Sequence, residues 1–351
     1  MNLAPSKHRG GWRNPRFERG VAMVSLDTEQ IWGYRDPLFD PLDESQFENR
    51  YPGAPEAHDK LLACLQAAGI GATWFVVGGL ALPGSAGACD GRLAGLPSRW
   101  KMRIPRGDEK SAPLWYRRSF LERLRAAGPL QEIGLHGGLT HFAWTDREEN
   151  IEDVIRWELS EGLRALAEVE LRPRSFSFPR DEEAHHALLT DYGICAYRGP
   201  TPGVASRLGR TLAGAVWRAL AEIRRAAPTP VWPQETFPGL WNIPSSMFLY
   251  PIGPARSRIV GLRTRVERFA RGIEAAVRRR GVFHFCLHPE NLAESPSGFS
   301  MFEELLEKLL RARARGDVEV LTMREVAARM SAFGSPFTTH SQGSKSYVSH
   351  Q

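Results

Sequence analysis

Three short segments of the chain carry acidic and imidazole side chains at spacings that suit metal binding and activation of water. The first segment, SLDTEQIWG, contains Asp27 and Glu29 with one residue between them. Both carboxylates face the same side if the backbone stays extended, so that one could hold a metal ion while the other takes up a proton. A D-x-E pair alone is weak evidence, because acidic residues also cap turns.

The second segment, EIGLHGGLTHFAW, contains two histidines, His136 and His141, that are five residues apart. On a regular helix this separation points two side chains about 140° apart, which excludes the two-histidine helix of the HExxH zinc enzymes. Gly137 and Gly138 permit a tight non-helical turn that could bring both imidazoles to one metal ion. The alternative is one histidine in the core and the other at the surface.

The third segment, VFHFCLHPENL, places His288 at the end of a predicted strand, which Pro289 terminates. A histidine at a strand end is well placed to act as a general acid or base. Strand alternation predicts His284 on the same face and deeper in the sheet, where we expect a buried structural hydrogen bond.

These segments follow strands that alternate with amphipathic helices along the chain. Asp146 is predicted to begin the longest helix as its cap, with Glu149 completing a capping box. The other predictions are strands at 21–26, 72–77, 131–136, 174–178, 281–288 and 318–322, and helices at 57–68, 117–127, 146–167 and 301–314. Alternation of this kind predicts a parallel α/β fold, in which functional groups meet at the carboxyl ends of the strands.

Five segments, SLDTE, SFSFPRD, AYRGP, LWNIPSS and LHPENL, occur in an order that resembles the polysaccharide deacetylase family, the NodB-like carbohydrate esterases. The resemblance covers most of residues 20–325. It implies an irregular (β/α) barrel with a divalent metal ion, which we expect to be zinc. It also implies hydrolysis of an N-acyl group, which we expect to be acetyl, from a sugar or a glycoconjugate precursor.

The resemblance implies catalytic roles for three residues that match the motifs of the family by position. Asp27 would be the general base, Arg180 the arginine that orients this base, and His288 the general acid. The reverse assignment, with Asp27 on the metal and Glu29 as the base, stays open. Trp241 either lines a sugar pocket or belongs to the core.

Two departures from the family pattern concern the metal ligands. Thr28 occupies the position of the family's metal-binding aspartate, so Glu29 is inferred to bind the metal together with His136 and His141. Four residues separate these histidines, where the family has three. The Gly-Gly turn must absorb the extra residue if the site is to form.

Composition limits the classes of function. The net charge of +6 and a pI near 9.3 invite a nucleic-acid function, but the arginines fill the polar positions of amphipathic helices, so we expect no nucleic-acid partner. No apolar run reaches the roughly 18 to 20 residues of a membrane span, and the start lacks a signal-peptide pattern, which predicts a cytoplasmic protein. The scattered cysteines predict reduced thiols rather than a zinc ribbon or a disulfide framework.

One catalytic domain is predicted over residues 21–330, with insertions near 82–106 and 200–256. A basic leader at 1–20 precedes it, and a tail at 331–351, rich in serine, glycine and threonine, is predicted to be disordered. Three other functions stay open: a carbohydrate-binding relative without activity, a deformylase or amidase acting on a related substrate, and an arginine-dependent binder of nucleic acid or a membrane surface.

Overall fold

The computed structural model describes residues 17–35, 42–203, 211–250 and 260–334. Most of the predicted leader, the tail beyond residue 334 and parts of the predicted 200–256 insertion lie outside the described residues. Within them, an α/β domain is built on a large curled sheet with a core on both faces.

The strands match the predicted order, and the prediction misses only short ones. They are β1 (Gly20–Thr28), β2 (Ala72–Val76), β3 (Gly84–Ala86), β4 (Arg106–Asp108), β5 (Gln131–His136), β6 (Ser175–Ser177), β7 (Ala196–Arg198), β8 (Gln234–Phe237), β9 (Leu240–Asn242), β10 (Met247–Leu249), β11 (Val282–Leu287) and β12 (Val318–Val320).

The helices pack outside the sheet and connect its strands. They are α1 (Ile31–Tyr34), α2 (Glu44–Arg50), α3 (Ala54–Ala68), α4 (Ser98–Lys101), α5 (Arg118–Ala126), α6 (Ile151–Ala167), α7 (His186–Asp191), α8 (Leu212–Ile223), α9 (Leu262–Arg279), α10 (Gly298–Ala314) and α11 (Met323–Ala332). Within the described ranges, no helix has the length and apolar character needed to cross a bilayer.

The large sheet has the strand order β10-β11-β1-β2-β5-β6-β7-β9-β8, and β12 pairs with β1. All neighbours are parallel except β8 and β9, so the sheet forms a curled half-barrel. This confirms the predicted fold class. Because the strands run parallel, β1, β5, β6, β7 and β11 present their carboxyl ends at one edge of the sheet.

The longest predicted helix begins later than the sequence indicates. Helix α6 starts at Ile151, and Asn150 precedes it in the left-handed conformation with a φ of 54°. Asp146 does not cap it, because its carboxylate pairs with the guanidinium groups of Arg180 and Arg99. The predicted capping box is therefore wrong.

Trp241 lies in the core and not in a pocket. It is 2% exposed, and its indole Nε1 donates a hydrogen bond of 2.9 Å to Ser331 Oγ on α11. All four cysteines are free thiols, as predicted. The predicted insertion near 82–106 contains β3, short 3-10 turns, α4 and the start of β4, which pairs antiparallel with β3.

Candidate active site

The end of β1 places two buried carboxylates at the edge of the sheet. Asp27 is the penultimate residue of β1, and Glu29 follows the strand; each is 3% exposed. Glu29 Oε2 lies 2.9 Å from Nε2 of His136 and 3.0 Å from Nε2 of His141. A Cβ atom on Gly33 would collide with the Glu29 carboxylate, so a glycine in α1 leaves the room that this side chain fills.

The loop after β5 brings the two histidines together despite their five-residue separation. His136 ends the strand, and Gly137 then turns the chain with a φ of 74°, a conformation that glycine adopts without strain. The imidazole centroids of His136 and His141 are 4.8 Å apart, and both side chains are buried. The structure therefore favours the Gly-Gly turn over the alternative of two separated histidines.

The donor atoms of this cluster fit a divalent cation. His136 Nδ1 lies 3.0 Å from the carbonyl oxygen of Ser177, which can only accept, so Nδ1 carries the proton in the neutral ring. The lone pair of Nε2 then faces the Glu29 carboxylate, and two acceptors at 2.9 Å repel each other unless a cation or a proton lies between them. Two imidazole nitrogens and a carboxylate are a ligand set that zinc commonly uses, and these ligand atoms lie within 4.8 Å of one another.

Asp27 is held by an arginine that the sequence did not predict for this role. Arg198, the last residue of β7, donates from Nη1 and Nη2 to the two oxygens of Asp27, each at 2.7 Å. Burial acts to raise the pKa of Asp27, but the positive charge of Arg198, together with the effects of His288 and His136, outweighs burial and holds this pKa well below its usual range. Asp27 is therefore ionised at neutral pH.

The predicted contact between Arg180 and Asp27 is replaced by the one from Arg198. After β6 the chain turns through Arg180 with a φ of 60°, and its guanidinium contacts the carboxylates of Asp146 and Glu182. Arg198 belongs to the YRGP segment and ends β7, a short strand that was not among the predicted ones, so recognition of that strand was the signal needed to select it.

His288 lies beside both carboxylates, with its side chain 22% exposed. Its Nε2 is 3.4 Å from Asp27 Oδ2, and its Nδ1 is 3.6 Å from Glu29 Oε1 and 3.3 Å from the hydroxyl of Tyr34. Burial alone would lower the pKa of His288, but the negative charges of Glu29 and Asp27 raise it. The imidazole is therefore protonated at neutral pH and able to donate.

His284 has the buried structural position predicted for it. Its Nε2 lies 2.8 Å from Ser25 Oγ, and its Nδ1 faces the carbonyl oxygens of Ile243 and Pro244 at 3.2 and 3.1 Å. The carbonyls require a proton on Nδ1, which leaves Nε2 to accept from the serine hydroxyl.

Sequence reasoning also missed two groups that lie next to His288. One is the Tyr34 hydroxyl, and the other is Glu290, which is fully buried. Burial raises the pKa of Glu290 to about 8, and its Oε1 is 3.9 Å from His288 Nδ1. The acidic residue in HPENL was the available signal, because it stands two residues after the predicted catalytic histidine.

Comparison with known proteins supports the fold but does not establish which reaction the chain catalyses. No protein-family model and no curated protein matches the sequence. A crystal structure from Mycobacterium smegmatis, suggested to be a polysaccharide deacetylase, matches with a TM-score of 0.57 and 18% identity over 95% of both chains. One from Pseudomonas aeruginosa PAO1, suggested to have the same activity, matches with a TM-score of 0.57 and 13% identity over 90% of this chain and 92% of that one.

A third similar structure is described as a different kind of carbohydrate enzyme. It is the GH57-type branching enzyme of Pyrococcus horikoshii, with a TM-score of 0.50 and 12% identity over 90% of this chain and 71% of that chain. Because one fold carries different reactions, similarity at these identities establishes the fold alone.

Proposed function

We propose that the chain is a metal-dependent hydrolase that removes an N-acyl group, expected to be acetyl, from a sugar or glycoconjugate precursor. The observation that carries the proposal is the convergence of Glu29, His136 and His141 beside an ionised Asp27 and a protonated His288. The two structures suggested to be polysaccharide deacetylases share this fold, which supports the choice of substrate class.

Hydrolysis of an amide requires an activated water, a stabilised oxyanion and a proton for the leaving nitrogen. A divalent ion held by Glu29, His136 and His141 would act as a Lewis acid and would lower the pKa of water from about 15.7 toward about 7. The same ligand set leaves the carboxylate of Asp27 outside the ion's ligands and available for proton transfer.

Asp27 is placed to take the proton from the attacking water. Arg198 holds both carboxylate oxygens, which fixes their direction and keeps the group ionised, while each oxygen retains a second lone pair that can accept. His288, on the other side of Asp27, is placed to give its proton to the departing sugar nitrogen.

The test is the metal content of the purified protein together with acetate release from N-acetylhexosamine conjugates, for wild type and His136→Ala. We expect about one divalent ion per chain, lost in the variant along with acetate release. His185→Ala is the matched control, because this histidine is partly exposed and pairs with Glu152 instead of the cluster. The control should keep both metal and activity.

Two outcomes would contradict the proposal in different ways. A wild-type protein that takes up no divalent ion, even after reconstitution, would indicate a carbohydrate-binding relative without activity. A protein that binds metal but releases acid only from formylated or non-sugar amides would keep the hydrolase mechanism and replace the substrate. His288→Ala separates chemistry from binding, since it should keep the metal and lose turnover.

A further inference from the structure

A buried carboxylate from α6 accepts two hydrogen bonds from the loop that joins the two histidines. Glu158 is fully buried in that helix, and its Oε2 accepts a hydrogen bond of 2.8 Å from the backbone N–H of Thr140. Its Oε1 accepts a second bond of 2.7 Å from the Thr140 hydroxyl. Thr140 immediately precedes His141, so both bonds act next to a predicted metal ligand.

Close backbone contacts place the loop against α6 and against the turn after β2. The Leu139 N–H donates to the carbonyl oxygen of Glu158 at 3.0 Å, and the Gly78 N–H donates to the carbonyl oxygen of Gly138 at 2.8 Å. A Cβ on Gly162 of α6 would lie 2.5 Å from the carbonyl carbon of Gly138, so the glycines allow this approach.

Burying a carboxylate at this position of α6 has a free-energy cost. Burial raises the pKa of Glu158 to about 7, countered by the hydrogen bonds from Thr140 and Leu139. An apolar residue would avoid this cost but would leave the Thr140 N–H buried without an acceptor, which destabilises the loop. Two bonds to one residue of one loop indicate that the loop conformation is what Glu158 maintains.

Resting on the proposed metal site, we propose that Glu158 is a positioning residue that fixes the five-residue step between the histidines. By holding both polar groups of Thr140, it keeps Nε2 of His141 within reach of Glu29. Glu158 is not one of the proposed metal ligands and acts on them through Thr140. The proposal explains how a histidine loop of this length forms a compact cluster.

The experiment measures zinc affinity, by competition with a chromophoric chelator, in the full chain. Glu158→Met removes both acceptors while keeping a side chain of similar length, and we expect affinity to fall about 10- to 100-fold, as for other groups that orient metal ligands. Glu158→Gln keeps an acceptor for the Thr140 N–H and can donate to the hydroxyl, so it should stay within about threefold of wild type.

Two further variants distinguish a specific loss of zinc affinity from a general loss of fold stability. Leu124→Ala removes a fully buried side chain from α5 and should lower the urea midpoint of unfolding without lowering zinc affinity. Thr140→Val removes only the hydroxyl and should weaken zinc binding severalfold, which keeps the test open if Glu158→Met does not fold. Wild-type affinity in Glu158→Met or Thr140→Val, or an equal loss in Leu124→Ala, would overturn the proposal.

A readout without metal separates this inference from the proposed function. The N–H of Gly138 bonds to the Thr140 carbonyl, and the N–H of Phe142 bonds to the Thr140 hydroxyl. In the metal-free protein, hydrogen exchange at both amides should be faster in Glu158→Met than in Leu124→Ala. If wild type binds neither zinc nor another divalent ion, the proposed function fails, while faster exchange still supports the role of Glu158 and unchanged exchange overturns it.

Discussion

The two sides of the candidate site differ in how a buried carboxylate is neutralised, although their acids are two residues apart in sequence. The first, the arginine side, consists of Asp27, Arg198, Ser25 and His284. The second, the histidine side, consists of Glu29, His136 and His141. Asp27 has a permanent cation bound at both oxygens, whereas Glu29 faces imidazoles whose charge depends on protons or metal.

This difference bears on which of the two acids binds a metal ion and which one acts as the base. A guanidinium stays charged at any physiological pH, so Arg198 already balances the charge of Asp27 at both oxygens, and His288 lies beside it as a second positive group. Glu29 lacks such a partner among the described residues, and the lone pairs around it favour an exchangeable cation. The contrast supports Glu29 as the ligand and Asp27 as the base, the assignment that the sequence left reversible.

The largest expected effects come from removing each charge in turn. Glu29→Gln and Asp27→Asn should each lower turnover by about 10³-fold or more, since one loses a ligand and the other the base. Zinc affinity should fall sharply in Glu29→Gln and stay near wild type in Asp27→Asn. Equilibrium dialysis with elemental analysis checks this, and the opposite pattern would mean that the two roles are reversed.

The second prediction concerns the stability of the arginine side. Arg198→Met leaves the buried Asp27 without its cation, and we expect the free energy of unfolding to fall by about 3 to 5 kcal/mol. Asp27→Asn in the same chain should recover part of that loss, because the uncompensated charge is gone. Denaturant unfolding of the two single variants and the double variant measures the coupling.

Arg180→Met is the matched control for this cycle. Arg180 is also largely buried, but it pairs with Asp146 and Glu182, so its loss should add to that of Asp27→Asn without coupling. Coupling of Asp27 to Arg180 and none to Arg198 would restore the arrangement predicted from the sequence and contradict the geometry of the arginine side.

The sequence predicted most of what depends on strand ends and missed what depends on side-chain direction. Buried apolar runs precede Asp27, His136 and His288. Such runs can be recognised in the sequence because the strands of a parallel sheet are apolar on both faces. Arg180 follows β6 and Arg198 ends β7, and the sequence does not reveal that Arg180 has a left-handed backbone and pairs with Asp146 and Glu182 instead of Asp27. Glu158 was hidden for a related reason, since a glutamate within a helix usually faces solvent.

The smallest expected effect tests the charge state of the arginine side through His284. Burial and the positive charge of Arg198 lower the pKa of His284 from 6.5 to about 3. As pH falls below 6.5, the unfolded chain therefore binds a proton here that the folded chain does not, and stability is lost. At pH 5 this loss is about 2 kcal/mol, and at pH 7.5 it is absent.

His284→Gln should expose this contribution. The variant loses a buried hydrogen bond, which we expect to cost about 1 to 3 kcal/mol at pH 7.5. Because glutamine does not titrate, the variant is spared the acid loss at this position, and its deficit relative to wild type should shrink or vanish at pH 5. Urea unfolding at the two pH values measures the deficit. An equal deficit at the two pH values would mean that the pKa of folded His284 is not lowered. It would contradict the predicted effect of burial and of the Arg198 charge on this histidine.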